Sequence, residues 1–219
     1  MIWQILGLFS GDYDELQMAF ILAQLAARVF VILFCLSVHE FAHAWTAKKL
    51  GDETAWMHGR LTLNPAKHLD LIGTLMIFVV GFGYAKPVPV NPRNFKHYKK
   101  GMAITAAAGP ASNLLLALLF FGISKLLLLV LSVPNHYVLL LAETPNLYGY
   151  ILYMFVSEVA GRNVALAIFN LLPIPPLDGS RILDLFLPAR ASEFIERNER
   201  WFQYGLYAVL FFIFMSSRF

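Results

Sequence analysis

Long apolar runs separated by short polar stretches dominate the chain. From Met18 to Val38 only Gln24, Arg28 and Ser37 interrupt the apolar sequence, and a helix of about 20 such residues crosses the hydrocarbon core of a bilayer. The pattern carries this first helix on to Lys48 and Lys49, which mark a water interface. A second span is expected from about Met102 to Leu131, opened by the small residues Ala106 to Asn113, which let helices approach closely in lipid. A third runs from about Gly149 to Leu172 and carries Glu158 and Arg162. Their spacing of four, acid first, favours a helical ion pair over a metal role. Trp201 to Met215 makes a shorter last helix, which Ser216 and Ser217 can extend.

The stretches between these runs are informative. Leu50 to Asp70 is polar and broken by Gly51, Gly59 and Asn64-Pro65, and the alternation Arg60-Leu61-Thr62-Leu63 predicts a short strand. Leu71 to Ala85 is apolar but only 15 residues long. As a helix it would reach about 22 Å against a core of about 30 Å. Basic residues flank it on both sides: Lys48, Lys49, Arg60 and Lys67 before, and Lys86, Arg93, Lys96, Lys99 and Lys100 after. The positive-inside rule therefore has it enter and return on the cytoplasmic side, with Gly73, Gly81 and Gly83 permitting the turn. Pro87, Pro89 and Pro92 then impose extended backbone over 86–92. The acidic Met1 to Leu16 and the stretch Ser132 to Tyr148 carry no Lys or Arg and are placed outside.

Composition fixes the class. With 58% hydrophobic and 14% charged residues, and a mean hydropathy of +0.62, the chain groups with multi-pass membrane proteins. The net charge of +3 is a loop bias, with no basic tract of the length nucleic acid requires. The single cysteine, Cys35, excludes an internal disulfide and a Cys-rich zinc site. No removable signal peptide is expected, since Met1 to Ser10 lacks basic residues and a small-residue cleavage site. The expected fold class is an all-α polytopic membrane protein. It has about four transmembrane helices plus a re-entrant or short-strand element, forming one membrane-embedded domain over 1–219, with a core at about 17–185 and a C-terminal helix at 200–217.

Candidate chemistry sits at the inner end of the first helix, where His39-Glu40-Phe41-Ala42-His43 forms an HExxH pattern. Histidines four apart project from one helix face and can share a metal ion. Two imidazoles and a third protein ligand leave one zinc position open to water, and a neighbouring carboxylate, here Glu40, can take a proton from that water. His43 lies five residues before Lys48, about 7 Å deeper on a straight helix. The metal site is thus expected between helices inside the membrane, where ionisable groups are costly unless they pair, bind an ion or face water. For the third ligand, Asp178 leads Glu158 and Asp70. The third span ends at Asn170, and Pro173, Pro175 and Pro176 forbid helix before Asp178, so the break delivers a carboxylate to the cytoplasmic side.

With these residues in place, the sequence resembles the site-2 protease family of intramembrane zinc metalloproteases. His39 to His43 matches the family's metal-binding helix, Asn170 to Gly179 matches its Asn, Pro and Leu-Asp-Gly element, and Gly109 to Asn113 resembles a third element. The resemblance covers about 30–185, in a compact form with no room for a PDZ or CBS domain. It implies one Zn2+ per chain held by His39, His43 and Asp178, with Glu40 as catalytic acid/base and Asn170 near the reaction centre. Asn170 and Asn113 are candidates for holding substrate or its oxyanion. The expected reaction is hydrolysis of a peptide bond in or near a transmembrane segment of a membrane-protein substrate. The expected location is a bacterial-type cytoplasmic membrane, with the site toward the cytoplasm. A metal-binding scaffold without activity and a metal ion transporter are the competing classes. A transporter is expected to show repeated halves, and none is evident in the sequence.

Overall fold

The computed structural model describes residues 7, 13, 15–79, 85–131 and 147–216. In chain order the elements are α1 (Glu15–Phe30), a π-helical turn (Val31–Cys35), α2 (Leu36–Lys49), α3 (Thr54–Met57), α4 (Leu71–Val79), α5 (Tyr98–Val130), α6 (Leu147–Asn170), α7 (Asp178–Asp184), α8 (Ala189–Arg197) and α9 (Glu199–Ser216). Among the described residues the only β feature is an isolated antiparallel bridge between Leu69 and Ala85. Among the described residues, three segments are long and apolar enough to cross a membrane: Gln17–Lys49, Tyr98–Val130 and Tyr148–Asn170. The expected count of about four is therefore three by this measure. α9 falls short because Glu199, Arg200 and Gln203 crowd its first turns and leave a brief apolar run.

α5 is the central column, packed against α2, α6 and α7, while α1 packs on α6. In lipid no hydrophobic drive brings helices together, so contact must come from close packing. The sequence meets this need with small residues: Ala27, Ala160 and Ala167 are fully buried. Phe30 fills the space between α5 and α6, meeting Phe120 and Phe155 edge to face at 5.8 and 5.7 Å. The π turn shifts the phase of everything after it by about one residue. His39 is thereby turned away from Gln24 and Arg28, with which a regular helix would have it share a face. Arg28 lies within electrostatic reach of the Glu158–Arg162 pair on α6, whereas His39 turns toward α5.

The connections tie the ends of the long helices together. Asp52, fully buried just after α2, accepts hydrogen bonds from the Asn91 amide at 2.8 Å and Asn94 Nδ2 at 2.7 Å, fastening the extended stretch to the end of α2. Burial alone would push its carboxyl up, but bonds from Thr54, Asn94 and the Asn91 amide hold it below the ordinary value. No strand forms at 60–63. The Thr62 carbonyl is taken by His68 Nε2 at 2.7 Å, and the buried Arg60 reaches the Lys86 and Pro87 carbonyls with its guanidinium. His68 is fully buried. Of the 71–85 segment, residues 71–79 are helical; Gly81 and Gly83 lie outside the described residues, as does most of the expected outer loop, His136 included. Lys99, in the first turn of α5, donates to the Asp184 and Leu187 carbonyls at 2.9 and 2.7 Å and so caps the end of α7.

Candidate metal centre

α2 carries His39, Glu40 and His43, all buried, and its winding brings the two Nε2 atoms to 3.0 Å of each other. The third group arrives from α7. Pro173, Pro175 and Pro176 stop α6, and the chain winds back through a bond from the Leu177 amide to the Ile174 carbonyl at 2.9 Å. Gly179 is obligatory in this return, since a Cβ there would lie 2.1 Å from the Leu171 carbonyl oxygen. The result places Asp178 Oδ2 3.3 Å from His39 Nε2 and Oδ1 3.4 Å from His43 Nε2.

The outer nitrogens of the imidazoles decide what the inner ones can do. His43 Nδ1 lies 2.7 Å from the Thr105 carbonyl, which only accepts, so that nitrogen carries a proton and, in the neutral imidazole that metal binding requires, Nε2 is the bare one. His39 Nδ1 lies 2.6 Å from Asn113 Oδ1 and is a donor with the amide in this orientation. Two bare Nε2 lone pairs thus face each other and a carboxylate whose Oδ2 is buried without a hydrogen-bond partner. That is a repulsive arrangement unless a cation sits among them. A tetrahedral zinc with ligand bonds near 2.0–2.1 Å has ligand atoms about 3.3 Å apart, and the observed separations are 3.0, 3.3 and 3.4 Å. The donor set fits zinc. α5 closes one side with Gly109, where a Cβ would stand 2.4 Å from His43 Nε2 and 2.5 Å from His39 Cε1.

The other residues singled out from the sequence fall as follows. Glu40 is buried on α2 and its charge bears on His43. Glu158 is paired with Arg162, and Asp70 accepts from the Gly73 amide at 2.9 Å, capping α4. Neither joins the cluster, which among the described residues comprises His39, His43 and Asp178 with ligand atoms within 4.8 Å of one another. Asn170 donates to the Leu166 carbonyl of its own helix at 3.0 Å. Asn113 is fully buried behind His39 and gives its Nδ2 to Asn163 Oδ1 at 2.9 Å. This places it at the outer nitrogen of an imidazole. Thr105 and Asn163 were not singled out for the site; Gly109 entered only as the first residue of the Gly109 to Asn113 element.

Residues 27–215 match the sequence model of peptidase family M50. The chain belongs to that family. A Bacillus subtilis (strain 168) protein named "Putative zinc metalloprotease YwhC" is 44% identical over 160 residues, covering 73% of this chain and 68% of that protein. The M50 chain is also 29% identical over 174 residues to a protein of Mycolicibacterium smegmatis and 31% identical over 167 residues to one of Mycobacterium tuberculosis, strain Erdman, both named Rip2 with the same description. Those alignments cover 77% and 72% of this chain but only 60% and 58% of the relatives. No solved structure matches.

Proposed function

We propose that this M50 chain is a zinc-dependent endopeptidase that hydrolyses a peptide bond in or near a transmembrane segment of another membrane protein. One zinc is held by His39, His43 and Asp178. The observation that carries the reading is the convergence of these three ligand atoms on a helix long and apolar enough to span a membrane. Bound zinc would supply Lewis-acid polarisation of the substrate carbonyl and activation of water. Glu40 accepts a proton from the attacking water and returns it to the leaving nitrogen. Asn170, at the end of α6 beside the return to Asp178, is a side chain for holding a substrate strand. The single domain, with its core at about 17–185, is the unit that performs this chemistry.

The site faces the cytoplasm in this reading. Lys48, Lys49, Arg60, Lys67, Lys86 and Arg93 flank the segment 71–85, and the bridge between Leu69 and Ala85 supports a path that enters and returns. So does the 2.7 Å bond from the Lys86 amide to the His68 carbonyl, since both joined strands must lie on one side. Single cysteines at Lys67 and Lys96, in a Cys35→Ser background, should both resist an impermeant thiol reagent in intact cells and react once the inner face is opened; labelling of only one from outside would mean the segment spans. The catalytic assignment is tested by Glu40→Gln, which should keep zinc and lose cleavage of a membrane peptide. His39→Ala should lose both. Cleavage at the wild-type rate by purified Glu40→Gln protein would sink the assignment.

A further inference from the structure

His43 and His39 are held differently. The partner of His43 Nδ1 is a backbone carbonyl, which presents only oxygen. The partner of His39 Nδ1 is a side-chain amide, which presents oxygen in one orientation and N–H in the other. With Asn113 turned round, an N–H would face Nδ1, the imidazole proton would move to Nε2, and the nitrogen facing the metal would be blocked. Something must choose the orientation. Asn113 and Asn163 are both fully buried, so water does not.

We infer that Asn163, on α6, is a positioning residue for the metal centre, fixing the Nδ1-protonated tautomer of His39 by orienting the Asn113 amide between them. This rests on the zinc site proposed above. The chain of constraint starts at a group with one possible role. The Val159 carbonyl can only accept, so the atom 2.8 Å from it is Asn163 Nδ2; a second contact from that nitrogen, to Cys35 Sγ at 3.2 Å, agrees. Asn163 Oδ1 is then the atom turned to Asn113, which must answer with Nδ2 at 2.9 Å. Asn113 Oδ1 is left for His39 at 2.6 Å. Each step has one solution, and the last leaves His39 Nε2 bare toward His43 and Asp178. Outer partners of ligating histidines act in this way on tautomer and basicity, and their loss typically costs about 10–100-fold in metal affinity.

The test uses the full chain in detergent with 15N-labelled histidine, measuring zinc affinity by competition with a chromophoric chelator and reading the His39 nitrogen shifts of the zinc-free protein. Asn163→Leu, close to asparagine in size but unable to bond, should weaken zinc about 10-fold or more and move His39 from the Nδ1-protonated toward the Nε2-protonated pattern. Asn113→Asp presents oxygen whichever way it turns. Added to Asn163→Leu, it should therefore restore zinc affinity to within about threefold of the Asn113→Asp single variant, because residue 163 no longer has anything to orient. Wild-type affinity with unchanged His39 shifts in Asn163→Leu would overturn the inference. A double variant binding no more tightly than Asn163→Leu would overturn it too. If Asn163→Leu does not fold, Asn163→Ser takes its place with the same expectations. Absence of zinc binding by the wild type, or its persistence in His39→Ala, would instead defeat the zinc site itself.

Discussion

Replacing Gly109 by alanine tests the site with the smallest change available. The added methyl would stand 2.4 Å from His43 Nε2 and 2.5 Å from His39 Cε1 and His43 Cε1, about 1 Å inside ordinary van der Waals contact. Neither side can yield cheaply. Moving α5 outward stretches the bonds from His43 to the Thr105 carbonyl and from His39 to Asn113, both anchored on α5 itself. Turning the rings instead takes their Nε2 atoms off Asp178. Overpacking of this kind costs about 1–3 kcal/mol, and because the strain falls on metal ligands, most of it should appear as lost zinc affinity, roughly 10–100-fold by 1.4 kcal/mol per decade. Gly122→Ala and Gly161→Ala, where an added Cβ meets nothing within 4 Å, are controls expected to bind zinc as the wild type does. Chelator competition on purified protein, with helix content checked by circular dichroism, gives the answer. Folded Gly109→Ala protein with zinc affinity within about twofold of wild type would show that the ring positions are not those described, since so little accommodation is open to them.

Three further outcomes are expected. Asp178→Ala should drop zinc content to the level of His39→Ala after dialysis against a weak chelator, while Glu158→Ala stays near wild type; equal zinc in all three would point to other ligands. Asp52→Asn turns an amide toward groups that donate, at a cost of about 1–3 kcal/mol, and should speed proteolysis of the loop at 50–70. Its native carboxyl lies below its ordinary value of 3.8, so its stabilisation is complete above that value and fades as pH falls through the lowered one; thermal unfolding followed from roughly pH 6 to 3 should lose this acid-side dependence in Asp52→Asn, and an unaltered profile would dismiss the role. A transmembrane substrate helix shields its own carbonyls, so peptides with Gly, Asn or Pro beside the cleaved bond should be cut faster than all-Leu versions. One uniform rate across the series would count against local unwinding.

What the sequence could disclose was local or topological. His39 and His43 were legible because four residues on a helix fix a distance, and Asp178 because three prolines end a span just before it. The membrane-crossing segments were legible from their apolar length. The groups behind the imidazoles were not. Thr105, Asn113 and Asn163 meet His43, His39 and each other across 62, 74 and 50 residues of sequence, and nothing in a buried asparagine on an apolar helix says which neighbour it will find. The π turn was equally hidden, since Val31-Ile32-Leu33-Phe34-Cys35 is an ordinary apolar run. The strand expected at 60–63 failed for a related reason: alternation signals that backbone could pair, but side chains of Arg60 and His68 claimed the carbonyls first.

The two connections that meet at this end of the protein differ in how much extra chain they can absorb. Leu69 and Ala85 pair with each other, so the chain between them leaves from and returns to one place, and loop-closure cost grows only slowly with length. Insertions there can enlarge the segment while leaving its two feet in place. The stretch from Asn170 to Asp178 has no such slack. It is wound through bonds from Ile174 to Leu172 and from Leu177 to Ile174, with Gly179 pressed on Leu171, and one added residue would move the carboxylate by up to about 3.5 Å, more than the whole distance that now separates it from His39 Nε2. Length variation is therefore tolerated between Leu69 and Ala85 and forbidden in the stretch that completes the metal site.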